Sequence, residues 1–447
     1  MSPSLRGCTL RGDVSWGMEC SWGSGQSCPA EYPSAPGQFS GRARYCSQTP
    51  SPIPFIWGFR HAGCVPVRTG YVSYKVPFIR PSFPRAEDIA ADMGRIVEAN
   101  WYTNFGPYER EFSEALASYV GPGFKAATFA NATLGLMAAL SEVIGRGDGS
   151  KFIIVPSFTF AAGPQAIDWC GYQPLFIDVE ADTLQPDLVA AQTAHAEFGN
   201  QVAGILLCNT FGIGNSRVDE WDRWARETGL PLVIDSAAGF GSDYADGSKV
   251  GRAGVCEVFS FHATKPLAVG EGGAVVSSDV DLVSRLRSFQ NFGFNASGGG
   301  ATSLGLNAKL QEINAAIGLR QLSTLDRALT TRRTVVNRYR DELPRPFFRF
   351  PQQIEFSSVC FATVGLPDTA SQKRALALLQ SAGVEARSYY SPAVHRQDYF
   401  KTSARIGSLP ATEHAVATGI SLPVHQDMDP ADVDLVISTL RALAGLS

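Results

Sequence analysis

Apolar and polar positions change rhythm twice along this chain. Up to about Tyr74 no stretch holds a helical or strand period. From Val76, the run VPFIRPSFPRAEDIAADMGRIVEANW sets Ile89, Met93, Ile96 and Val97 at helical spacing behind Pro84 and acidic residues, which predicts a first helix. From Lys125, short and nearly uninterrupted apolar runs alternate with longer mixed ones. KAATFAN, KFIIVPS, QPLFIDV, VAGILLCNTFG and PLVIDSA read as strands. ATLGLMAALSEVIG, the stretch through Ala166 to Cys170, and SRVDEWDRWARETG read as helices between them. Strands this apolar need cover on both faces, so the pattern predicts a mainly parallel sheet sandwiched by helices, an α/β fold. CEVFSF and GGAVVSS add two short strands. Lys309 to Glu342 reads as one long helix with Ile313, Ile317, Leu322 and Leu325 on its apolar side. Beyond it, strand-like VCFATVGL and VEARSYY mix with helical KRALALLQSAG and DVDLVISTLRALAG, which suits a smaller α+β domain. The expected division is 1–72, a disordered or non-native N-terminal extension; 73–325, the large α/β domain; and 326–447, the small one. No internal repeat is visible.

Composition sharpens the first boundary. Gly, Ser and Pro supply 21 of the first 50 residues, and no lysine precedes Lys75. Such a segment buries too little apolar surface to offset the entropy of ordering it. For the chain as a whole, 45% hydrophobic residues and a net charge of −4 describe an ordinary globular protein and argue against nucleic acid as the main partner. The longest apolar runs are strand-sized, well short of the roughly 18 residues of a membrane span. MSPSLRGCTLRGDVSW lacks an apolar leader core, so a cytoplasmic location is expected. The nine cysteines never fall at Cys-x₂₋₄-Cys spacing, which argues against a zinc site, and no metal is expected.

In an open α/β sheet, ligands gather beyond the carboxyl ends of the strands. Four places stand there. Asn131-Ala132-Thr133 begins a helix with small residues, which suits either a phosphate on free backbone amides or a plain N-cap by Asn131 or Thr133. Ser157 to Phe160 follows the second strand. Asp235 ends an apolar strand, where a carboxylate can hold a metal, act as a base or face a cationic ring nitrogen. No second acidic strand end accompanies it, which counts against a metal. Ser260 to Lys265 precedes a glycine-rich turn that lacks the Walker pattern. A lone lysine is most often a surface charge. A lysine beside a phosphate site, an aromatic residue and a lone carboxylate is what a pyridoxal phosphate enzyme needs.

SFHATK followed by GEGG closely resembles the lysine motif of the DegT/DnrJ/StrS nucleotide-sugar aminotransferases, which are fold-type I (aspartate-aminotransferase-like) pyridoxal phosphate enzymes. The resemblance runs from Val76 to the C-terminus through WYTNFGPYEREFSEALASYVG, IIVPSFTFAAGPQAIDWCGYQPLFIDVEADTL, LGLNAKLQEINAAIGLRQLSTLD, VEARSYYSPAVHRQDYF and ISLPVHQDMDPADVDLVI. It implies that Lys265 forms the Schiff base and shuttles the proton, and that Asp235 pairs with the pyridinium nitrogen. Ser260 with the amides of Ala132 and Thr133 would hold the phosphate, and Phe160 would stack on the ring. Asn307 would reach the phosphate from the neighbouring subunit of a homodimer. Tyr389, Tyr390 and His395 lie in the segment that in the family approaches the nucleotide, although a core tyrosine pair and a surface histidine are equally good readings.

Three positions depart from the family pattern. Asn-Ala-Thr replaces the common Ser-Gly-Thr at 131–133, Leu310 replaces the usual Met, and Ala238 stands where many members carry Gln or His. A lysine at 265, in place of the histidine of related sugar dehydratases, implies amine transfer. The expected reaction moves an amino group from glutamate, giving 2-oxoglutarate, to a nucleotide-linked keto-deoxysugar for cell-surface polysaccharide or secondary-metabolite biosynthesis. The rival expectation is a noncatalytic regulator or scaffold that keeps the fold.

Overall fold

Alternation of apolar side chains along seven short strands organises the molecule. The structure is a computed structural model and describes residues 74–295 and 299–445; the expected extension at 1–72 lies outside the described residues. The strands are β1 (Lys125–Phe129), β2 (Phe152–Pro156), β3 (Gln173–Ile177), β4 (Val202–Cys208), β5 (Leu232–Asp235), β6 (Cys256–Ser260) and β7 (Gly273–Ser277), in the spatial order β1-β7-β6-β5-β4-β2-β3. Only β7 runs against its neighbours; the pairs β6-β5, β5-β4, β4-β2 and β2-β3 are parallel. The expected mainly parallel sheet is what forms.

Because successive side chains point to opposite faces, each strand feeds two cores. Leu207, Ile234 and Phe259 pack with the helices Pro107–Val120, Leu188–Phe198, Val218–Thr228 and Glu312–Leu322 on one face. Leu206, Val233 and Val258 pack with Ala132–Val143, Ala162–Trp169 and Val280–Phe289 on the other. A third cluster joins the helices Leu325–Glu342, Thr369–Ser381 and Pro430–Leu443 to a two-stranded antiparallel sheet, β8 (Ala362–Gly365) and β9 (Gly419–Leu422). Both sheets belong to one compact unit, Gly70–Ser447.

Three expectations need correction. The helical pattern of Lys309 to Glu342 is two helices, Glu312–Leu322 and Leu325–Glu342. Ser323 Oγ and Thr324 Oγ1 donate to the carbonyls of Arg320 and Gln321, and Thr324 leaves the helical region at φ −115°. Hydroxyls that compete for backbone carbonyls in this way favour a break. VEARSYY is no strand; Val384 and Arg387 make single bridges to Val76 and Ser421. In the first helix, Ala86–Ala99, Ile96 is buried, but Met93 and Val97 of the expected apolar side are 43% and 51% exposed.

Candidate active site

At the carboxyl ends of β4, β5 and β6 the alternation continues past the core. Register pairs Cys208 with Asp235 and Asp235 with Val258, two residues before Ser260. The parity of Leu206, Val233 and Val258 therefore sets Cys208, Asp235 and Ser260 on one face of the sheet. Asp235 is 6% exposed, and Oδ1 accepts the backbone N–H of Ala237 at 3.0 Å. Burial raises its pKa, opposed by that hydrogen bond and by the charge of Lys265. Burial also pushes the Cys208 thiol up to about 12, with the neighbouring Asp235 carboxylate adding to it. Cys208 accepts from Thr159 Oγ1 at 3.2 Å, which fastens the loop after β2 over the end of β4.

Lys265 sits on the connection between β6 and β7. That connection is folded back on itself: Lys265 N donates to the His262 carbonyl at 2.8 Å and Ala263 N to that of Gly270 at 2.8 Å. Gly270 supplies φ +94°, open to glycine at little cost. The Lys265 amine lies 3.9 Å from Cys360 Sγ and 5.8 Å from the centre of the Phe361 ring. The sequence expectation missed both residues. They lead into β8, 95 residues further along the chain, and read locally as part of an apolar run.

Ser260, Gly273 and the helix start meet in a row. Gly273 pairs with Ser260 on one side and with Phe129 on the other. A Cβ on Gly273 would stand 2.6 Å from the backbone nitrogen of Ala132, so only glycine lets β7 pass so near the helix Ala132–Val143. Asn131 is the N-cap: its Oδ1 accepts from Leu134 N at 3.0 Å. The cap satisfies the third amide of the helix, and the first two, those of Ala132 and Thr133, have no carbonyl a turn earlier to bond. The cap reading thus holds, and it leaves two helix-start amides without a bond inside the helix.

The other expected residues divide. Phe160 follows the fastened loop and is 59% exposed. Asn307 is exposed and its Oδ1 accepts from Lys309 Nζ at 2.7 Å; the adjacent Ala308 carbonyl accepts from Ala130 N, two residues from Ala132. Tyr390 stacks on Phe211 with centroids 5.1 Å apart, and Asp235 is among the charges acting on it. Tyr389 packs against Phe78 and Phe361, and its hydroxyl accepts from Arg387 at 3.0 Å. His395 is 3% exposed rather than on the surface, with Nδ1 2.6 Å from Ser157 Oγ and Nε2 2.7 Å from Glu413 Oε1. Both of its nitrogens are occupied. Ala238 is buried among Phe158, Phe211, Cys360 and Phe361, and Ser358 Oγ donates to its carbonyl at 2.6 Å.

The donor set fits pyridoxal phosphate. A buried carboxyl with a single short hydrogen bond suits a cationic ring nitrogen. Two helix-start amides beside a serine hydroxyl suit a phosphate, in a cradle that a Cβ at 273 would fill. Among the described residues no cluster of metal-ligating side chains stands with them, and no helix is long and apolar enough to cross a membrane.

Comparison with known proteins agrees. The sequence model of the DegT/DnrJ/EryC1/StrS aminotransferase family matches residues 85–441. Protein Rv3402c of Mycobacterium tuberculosis is 47% identical over 372 residues, covering 82% of this chain and 90% of its own. The dTDP-4-amino-4,6-dideoxy-D-glucose transaminase of Escherichia coli is 27% identical over 378 residues, covering 83% and 98%. Among solved structures, DesI in the presence of its TDP-sugar product superposes with a TM-score of 0.75 at 31% identity, covering 84% of this chain and 95% of that one. A PLP-dependent aminotransferase from Bacillus cereus gives 0.75 at 30%, covering 82% and 99%.

Proposed function

This chain belongs to the DegT/DnrJ/EryC1/StrS aminotransferase family, a transaminase with pyridoxal 5'-phosphate as its cofactor, and from that premise we propose that it aminates a nucleotide-linked keto-deoxysugar, with glutamate as the amino donor. The observation that carries the reading is a buried Asp235, nearly without hydrogen bonds, within the field of Lys265. When bound, the cofactor supplies an electron-accepting ring and an exchangeable amine carrier. The chain supplies position and proton transfer. Asp235 keeps a proton at the ring nitrogen. Lys265 Nζ holds the cofactor between turnovers and then moves a proton to and from the carbon bearing the amine.

Ser260 Oγ and the amides of Ala132 and Thr133 bind the phosphate, and Phe160 covers one face of the ring and excludes water. Asn307 adds a phosphate contact from the second subunit of a homodimer. Tyr389 and Tyr390 wall the sugar side; His395 serves there through the Ser157 loop that it holds. The large part, 73–325, carries the cofactor and the small part, 326–447, brings Cys360 and Phe361 against Lys265. The product is an amino sugar nucleotide for cell-surface polysaccharide or secondary-metabolite synthesis in the cytoplasm. Support comes from the dTDP-sugar transaminase relative and from DesI.

The test is glutamate-dependent amination of a panel of dTDP-, UDP- and GDP-keto-deoxysugars, followed by the release of 2-oxoglutarate. One member should turn over. A protein that binds pyridoxal phosphate with its visible absorbance band yet aminates none, and releases no 2-oxoglutarate, would fit the noncatalytic alternative and sink this reading.

A further inference from the structure

Directly behind Asp235, on the opposite face of the sheet, lies a second buried carboxylate with no part in the chemistry above. Glu257 is the second residue of β6, and its side chain is 0% exposed. Five donors meet it. Oε1 accepts from Tyr244 OH at 2.9 Å, Gly251 N at 2.7 Å and Ala253 N at 3.0 Å. Oε2 accepts from Ser236 Oγ and, at 3.4 Å, from Asn209 Nδ2. All five donors are neutral. A buried carboxylate held in this way is a poor source of stability, since an apolar residue of similar size would avoid its desolvation. What the arrangement does provide is direction.

The five bonds tie two strand ends and one loop to β6. Asn209 directly follows Cys208, Ser236 directly follows Asp235, and 244–253 is the loop entering β6. The Asp235 backbone is held on every side by the same elements. Its carbonyl accepts from Asn209 N at 3.0 Å, and Ser236 N donates to the Val258 carbonyl at 2.9 Å. Ala237 N, one residue on, is the amide that reaches Asp235 Oδ1. Fixing the Ser236 hydroxyl therefore fixes the peptide that aims the one short hydrogen bond made to the Asp235 carboxylate among the described residues.

Resting on the reading of Asp235 as the partner of the cofactor's ring nitrogen, we propose that Glu257 is the positioning residue for Asp235, acting through Ser236 and Asn209. Glu257 touches neither cofactor nor substrate. It sets the rotamer and the reach of the carboxylate on the other face of the sheet, as groups behind a metal ligand set that ligand's aim.

The test compares Glu257→Ala, Glu257→Gln, Ser236→Ala and Asp235→Asn in the full chain. Three quantities are read: the dissociation constant for pyridoxal phosphate, the pH midpoint of the visible absorbance of the bound cofactor, and the Tm of the cofactor-free protein. Glu257→Ala should weaken cofactor binding roughly tenfold, the scale of the one hydrogen bond, Ala237 N–H to Asp235, whose aim is lost. It should also move the pH midpoint in the same direction as Asp235→Asn. Glu257→Gln keeps one acceptor oxygen and should move both less. A Glu257→Ala protein with a lower Tm but wild-type affinity and midpoint overturns the proposal and leaves Glu257 a structural anchor. Should that variant not fold, Ser236→Ala decides by the same two readouts, since it cuts only the tie next to Asp235. If Asp235→Asn itself changes neither readout, the reading of Asp235 fails, and that outcome is distinct from a shift confined to Asp235→Asn.

Discussion

The two faces of the sheet at the ends of β4, β5 and β6 carry equal numbers of polar or ionisable side chains and treat them in opposite ways. On one face stand Cys208, Asp235 and Ser260, with few hydrogen bonds and Lys265 near them. On the other stand Asn209, Ser236 and Glu257, bonded to one another and to Tyr244. Cys208 and Asn209 are neighbours in the chain, as are Asp235 and Ser236, and Glu257 and Ser260 share β6. The satisfied face is scaffold, and the under-satisfied face has capacity left for a ligand. Polarity at a strand end is thus a weak guide to function, and residual bonding capacity is a better one.

The contrast breaks first at Lys265. Lys265→Ala should lower turnover by about 10³-fold or more, the scale of a lost positioned proton carrier, with the Tm of the cofactor-free protein unchanged. Stopped-flow amine transfer and calorimetry together check this. Next, Asp235→Asn should cost roughly 10²–10³-fold in turnover, as for other preorganised charges. It should leave the cofactor-free protein at least as stable, because a buried carboxyl with one bond is costly to hold. A drop in Tm would place Asp235 with the scaffold instead.

His425 sharpens the comparison from outside the site. It is 1% exposed, neither ring nitrogen has a partner among the described residues, and burial with the nearby Arg332 charge lowers its pKa to about 4. Between the unfolded value near 6.5 and 4, the unfolded chain binds a proton that the folded one refuses. Its contribution is therefore complete above about pH 6.5 and falls away as the pH drops toward 4, by on the order of 3 kcal/mol. His395, also lowered by burial, adds with the same sign. Denaturation at a series of pH values should show a shallower acid slope in His425→Leu. Bonding capacity left on a buried histidine beside an arginine thus marks a neutral ring, not a binding site. The smallest effect is expected at His395, where alanine removes one partner each from Ser157 Oγ and Glu413 Oε1, which keep the backbone N–H of residue 395 and the Arg396 guanidinium, and should cost roughly 1 kcal/mol. A loss seen instead as a raised KM for the nucleotide sugar would return His395 to the substrate wall.

The part of the site written by local alternation was legible in the chain. Lys265, Asp235, Ser260 and the Asn131 helix start each sit at the end of an apolar run, and strand ends are where an open sheet binds. Cys360 and Phe361 were not legible, because nothing in VCFATVGL distinguishes residues that meet Lys265 from residues that fill a core. Glu257 had a signal that went unused: a lone acid in the apolar strand CEVFSF. The break at Ser323-Thr324 was hidden for a different reason, since the apolar spacing continues across it and only the hydroxyls betray the change.

The place of β7 has a consequence for the order in which the chain can assemble. β1 is made early, yet its sheet partner is β7, from Gly273 to Ser277, and among the described residues it pairs with no other strand. During synthesis β2 to β6 can pair as they emerge, while β1 and the helix start behind it wait with an unpaired edge. Ser260 and the start of the helix Ala132–Val143 come together only when Gly273 slides between Phe129 and Ser260. A nascent chain stopped short of Gly273 would hold Asp235 and Lys265 without that junction, so under the proposed assignment of the phosphate to it, cofactor capture would report that the whole sheet has been completed.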